Sequence, residues 1–69
     1  MNKNLMVSIM KRNGDIQVRA AEALGMSTNS FNMKLNEKGG REFNASEIKK
    51  LKERYSMTPE EVNACFFED

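Results

Sequence analysis

Apolar positions along this chain recur at helical spacing, and no stretch alternates in the period-two manner of a half-buried strand. Leu5, Met6, Ile9 and Met10 fall at i, i+1, i+4 and i+5, one stripe of a first helix ending near Arg12, before Asn13-Gly14 breaks the pattern. Asp15 is then placed as the N-cap of a second helix, Ile16 to about Leu24, where its charge suits the helix N-terminus. Gly25 ends that helix as a residue that accepts a left-handed conformation. Ser27 caps a third helix, Thr28 to about Asn36, and Met26 with Phe31 forms a hydrophobic staple across the cap. Asn44 with Glu47 is a capping-box pattern, stapled by Phe43 and Ile48, opening a helix with Leu51 and Tyr55 on one face. Thr58 with Glu61 repeats it, with Pro59 at the first helical position and Met57 stapled to Val62. The expected fold class is all-α: five short helices in a single domain over residues 1–69, with residues 36–42 an exposed loop.

Composition narrows the chemistry. Sixty-nine residues are near the lower limit for a chain that folds on its hydrophobic core alone. With no histidine there is no His-based triad or His metal site, and one cysteine makes no zinc cluster. The glycines form no phosphate-binding loop, so no enzymatic activity and no cofactor are expected. Cys65 has no partner for an intramolecular disulfide and reads as a small core or interface hydrophobe. The methionines read as adaptable core filler, Met33 alone being expected to face outward. The segment Leu5 to Met10 is too short and interrupted for a signal peptide or membrane span, so a cytoplasmic protein without a membrane partner is expected.

Net charge is only +1, but it is unevenly spread. Residues 1–41 hold seven basic against three acidic side chains, a balance of +4. Residues 42–69 hold four basic against seven acidic ones, a balance of −3. A basic N-terminal part joined to an acidic C-terminal part is a polarised molecule.

Gln17 to Asn36, QVRAAEALGMSTNSFNMKLN, gives that polarity a focus. A helix, a short glycine-containing turn and a second helix is the helix-turn-helix arrangement. Ala21 is small where the second helix crosses, and Leu24, Met26, Phe31 and Leu35 supply the contacts that fix the crossing. At about 100° per residue, Phe31 and Leu35 of the third helix point inward with Thr28 beside them. Asn29 and Met33 lie opposite, flanked by Ser30, Asn32 and Asn36. Short amides, hydroxyls and one thioether are what a helix in a major groove can present to base edges. Lys34, Lys38 and Arg41, at the end of that helix and in the following loop, are within reach of phosphates, as is Gln17 across the groove edge.

The same twenty residues resemble the helix-turn-helix of the lambda-type phage repressor and Cro family, through Gln17, Ala21, Gly25, apolar Met26, Ser27 and Phe31. The later SEIKKL, TPEEVN and terminal FF look like the small regulators of phages and prophages of Gram-positive bacteria, so the resemblance runs from about Leu5 to Phe67. It implies a five-helix repressor-type fold binding double-stranded operator DNA as a transcriptional regulator, usually as a symmetric dimer. It puts base-edge contacts at Thr28, Asn29, Asn32 and Met33, with Ser27 and Ser30 nearer the backbone. The reading face departs from the family pattern in having no Arg or Gln, and Val18 sets an apolar residue where a polar one is usual, which suits a partner contact. A weak homodimer is expected, with Val62, Phe66 and Phe67 available for its seam. The second reading is a protein-interaction module, such as an anti-repressor gripping a partner repressor.

Overall fold

Backbone amides at a helix start need acceptors, and short polar side chains supply them at four of the five starts. The computed structural model describes residues 1–68, and among them are five α-helices and no strand. Asn2 accepts from the Leu5 amide at 3.0 Å and opens α1 (Lys3–Arg12). Ser27 accepts from the Ser30 amide at 3.1 Å and opens α3 (Thr28–Leu35), while both predicted capping boxes are formed. Asn44 and Glu47 exchange bonds at the start of α4 (Ala45–Arg54), and Thr58 and Glu61 do so at α5 (Pro59–Phe66). The loop after α3 contains a 3-10 turn at Lys38–Gly40.

The exception is α2 (Gln17–Leu24), and it corrects one expectation. Its N-cap is Ile16, in extended backbone, and no side chain caps it. Asp15 does not act as the cap because its carboxylate is taken by a stronger partner. Arg54 Nε donates to Oδ2 at 2.8 Å and Nη2 to Oδ1 at 3.1 Å, and the Tyr55 hydroxyl also donates to Oδ2. The charged fork and phenol outweigh an ordinary cap, which is worth about 1 kcal/mol.

At its other end α2 closes as expected. Gly25 has φ +72°, its amide donates to Glu22 O and the Met26 amide to Ala21 O, both at 3.0 Å. These two reversed bonds are a Schellman closure, which turns the chain within three residues into α3. Gly14 closes α1 in the same way, with Asp15 N to Met10 O at 2.9 Å.

One hydrophobic core joins the elements. Met6, Ile9 and Met10 of α1, Ala20, Ala21 and Leu24 of α2, and Phe31 and Leu35 of α3 are buried, with Phe43, Leu51, Tyr55, Met57 and Cys65. α1 runs antiparallel to α5: the Asn2 amide bonds Cys65 O at 2.7 Å at one end, and Arg12 pairs with Glu61 at 2.9 Å at the other. Burial pushes the Cys65 thiol up to about 11, so it is a packed hydrophobe with little thiolate. Phe66 packs edge-on against Phe43 with centroids 6.2 Å apart, and Val62 lies against the same core. Both residues, half-buried, therefore serve the fold in part, and of the expected seam Phe67 is the fully open one, at 65% exposed. No helix among the described residues is long and apolar enough to cross a membrane.

The Asp15 contact sets a pH dependence. The Arg54 hydrogen bonds, aided by the Tyr55 hydroxyl against the cost of burial, hold its carboxyl down at about 2 instead of 3.8. A depressed carboxylate pKa stabilises the fold above the unfolded value and loses that contribution as pH falls through the folded one. Its side chain is only 7% exposed, so the contribution is about 2 kcal/mol. Asp15→Asn is expected to lose about that much at pH 7, with the gap to the parent closing between about pH 4 and 2. Denaturant melts across that range check it, and a gap constant down to pH 2 rejects the assignment.

Candidate functional site

Two buried side chains decide which way α3 faces. Phe31 is 0% and Leu35 1% exposed, and the Phe31 ring tilts against Phe43 at 5.3 Å. With that stripe inward, Asn29 and Asn32 are exposed away from it, Thr28 is exposed beside it in the first turn, and Met33, expected to face outward, is half-buried. Ser27 is exposed, and its Oγ donates to the half-buried Ser30 Oγ at 3.1 Å.

The exposed amides form a row. Asn32 Nδ2 donates to Gln17 Oε1 at 3.3 Å, joining α3 to the first residue of α2. Asn36 Nδ2 donates to the Asn32 carbonyl at 2.8 Å, and Lys3 Nζ donates to Asn36 Oδ1 at 2.5 Å. Asn29 Nδ2 approaches Met33 Sδ at 3.7 Å, a weak contact. The structure thus brings Gln17, Asn32 and Asn36 together and adds Lys3, a residue the sequence did not single out. Lys3 is 33 positions from Asn36, and no local spacing connects them.

The basic residues divide into two groups. Lys34 is committed within the protein: its Nζ donates to Oε1 and Oε2 of Glu47, both at 2.8 Å, clamping the end of α3 to the start of α4. Burial raises the Glu47 carboxyl, but Lys34 and the Asn44 amide more than offset it and the net shift is downward. Lys38 and Arg41 are exposed in the loop after α3, with no side-chain partner among the described residues. The arrangement offers amides and hydroxyls on a rigid helix face, with cations at its C-terminal edge. Among the described residues no group of His, Cys, Asp and Glu is placed to hold a metal ion.

Comparison with family models, curated proteins and solved structures gives no match to this chain.

The aim of α3 depends on the turn before it. A Cβ at Gly25 meets nothing within 4 Å, so substitution there costs backbone strain alone. Gly25→Val is expected to lose about 1–2 kcal/mol, since a β-branched residue is poorly tolerated at positive φ, and Gly25→Asn clearly less. For a domain of this size that is roughly 4–8 °C in melting temperature per kcal/mol. Melts in which Val and Asn are equivalent reject the left-handed closure.

Proposed function

We propose that this chain is a sequence-specific DNA-binding regulator of the helix-turn-helix type, with α3 entering the major groove of double-stranded operator DNA. The observation that carries the reading is the outer face of α3: an exposed row of amides on a two-turn helix fixed by its inner face and tied to α2 through Gln17. Such a face needs no polar row to close a core, and it suits base edges. Thr28, Asn29, Asn32 and Met33 take the base contacts. Ser27, Ser30, Lys38 and Arg41 take the backbone, joined by Lys3 at the end of the row. Gln17 orients Asn32, and Lys34 anchors α3 instead of contacting phosphate. The repressor and Cro resemblance implies the same placement of Thr28, Asn29, Asn32 and Met33 at the bases and of Ser27 and Ser30 nearer the backbone.

One recognition helix reads too few base pairs to find an operator among competing sites, so the active form is a two-fold dimer with half-sites about 34 Å apart. Phe67, exposed and lying against Phe66 with centroids 6.5 Å apart, is the apolar group left for a weak seam. A protein-interaction module, such as an anti-repressor holding a partner repressor, is the second reading. Ile16 at 56% and Val18 at 47% exposed favour it, because both stand apolar in solvent at the start of α2.

Titration with duplex DNA from the chain's own promoter region and with random duplex, at two salt concentrations, separates the readings. Asn29→Ala and Asn32→Ala are expected to cost about 1–3 kcal/mol on the true site and little on random duplex. Lys38→Ala and Arg41→Ala are expected to weaken both equally and lower the salt slope by about one each per bound copy. No binding to either duplex at low salt rejects the DNA reading and favours the partner protein.

Sedimentation over a concentration series tests the dimer. Phe67→Ser removes an exposed ring and is expected to leave the fold intact while abolishing any self-association. A parent that stays monomeric and occupies DNA one copy per site, without cooperativity, rejects the dimer and leaves DNA binding standing.

A further inference from the structure

Resting on the DNA-binding reading, we propose that α3 reads A·T base pairs, addressing adenine through the amides of Asn32 and Asn29, and that the Lys34–Glu47 pair excludes guanine by removing the helix's only cation. In the major groove, adenine offers the N7 acceptor beside the N6 donor, whereas guanine offers two acceptors, N7 and O6. A guanine reader must therefore supply two donors, and an adenine reader one donor and one acceptor.

Asn32 is held in the second state. One Nδ2 hydrogen goes to Gln17 Oε1, which leaves the other hydrogen and the Oδ1 acceptor for a ligand. That pair complements adenine. Against guanine the Oδ1 lone pairs meet the O6 lone pairs, and turning both hydrogens toward the base breaks the Gln17 contact. Asn29, with one Nδ2 hydrogen leaning on Met33 Sδ, is left with the same donor and acceptor. Met33 and the Thr28 methyl supply apolar contact for a thymine methyl.

The residue able to overturn this preference is Lys34, since lysine is a common guanine reader. Both Glu47 oxygens hold its ammonium at 2.8 Å, and its side chain is 21% exposed. No other Lys or Arg lies within α3. Lys38 and Arg41 come after the helix has ended, in the 3-10 turn and beyond it.

Selection of the full-length protein on a random duplex library, followed by base replacement, tests the idea. Recovered duplexes should carry A·T pairs at the contacted positions of each half-site. Replacing the selected adenines by 7-deazaadenine, which removes the N7 acceptor from the major groove alone, should weaken the parent roughly tenfold. The same replacement should leave Asn32→Ala nearly unchanged at its own position. Glu47→Gln keeps a residue able to complete the capping box but frees Lys34. It should admit G·C at a contacted position and steepen the salt slope by about one. Enrichment of G·C by the parent, or indifference to 7-deazaadenine, overturns the proposal while DNA binding stands. Glu47→Gln with an unchanged base preference overturns the role of the ion pair. Failure to retain any duplex at low salt overturns the DNA-binding reading itself, and this inference with it.

Discussion

The burial of Phe31 and Leu35 is the constraint on which the outer face of α3 depends. An eight-residue helix is far below the length at which isolated helices hold in water, so α3 exists only because the core holds it. Phe31 reaches Phe43, and Leu35 is closed over by the same cluster. Turning α3 by one residue, about 100°, would carry Asn32 toward that core with its amide unpaired. Burying such a group without a partner costs about 1–3 kcal/mol, and exposing Phe31 costs as much again. One packing decision thus fixes both the existence of the helix and the identity of its exposed side chains.

The charged contacts then set the position of that helix along its length. α4 is gripped at both ends: Glu47 in its first turn holds Lys34 of α3, and Arg54 with Tyr55 at its end holds Asp15 just before α2. The two helices that meet at the Gly25 turn are therefore braced against a common third. Asp15 illustrates how magnitude decides. Capping α2 would offer bonds to neutral amides, whereas Arg54 offers a two-pronged charged contact on a side chain that is largely buried. Ile16 is left to begin α2 uncapped, a small loss to the helix and a larger gain to the assembly.

Much of the fold was legible because helix starts and stops are local. Ser27, Asn44–Glu47, Thr58–Glu61, Pro59 and Gly25 all act within four residues of themselves, and each does in the structure what its spacing predicts. What escaped was set by distance or by a missing signal. Asp15 reads as a cap until Arg54, 39 positions away, is brought beside it. Ser56 sits at φ +48° and closes α4 where no glycine marks the turn. At the candidate site, the buried Phe31 and Leu35 and the exposed Asn29 and Asn32 followed from periodicity, whereas Met33, expected to face outward, is half-buried. The pairings of Lys34 with Glu47 and Asn36 with Lys3 did not, because a side chain's partner across the fold leaves no trace in local spacing. Phe66 and Val62 pack, half-buried, against the core since so small a domain has few other large apolar groups to close the end of α5.

Those pairings bear on how a DNA ligand would be held. Arg12, Lys34 and Arg54 are spent inside the molecule on Glu61, Glu47 and Asp15, which leaves Lys3, Lys38 and Arg41 around the end of α3. Three phosphate contacts per copy would correspond to a salt slope of only about −3 per copy, or about −5 for a dimer, against about −10 for a strongly electrostatic binder. A shallow electrostatic contribution lowers affinity for every sequence alike, so discrimination has to come from groups that distinguish bases. In the proposed mode those groups would be the neutral amides of Asn29 and Asn32, the latter oriented by Gln17. The ion pairs within the fold and the neutrality of the outer face of α3 are two consequences of one allocation of charge.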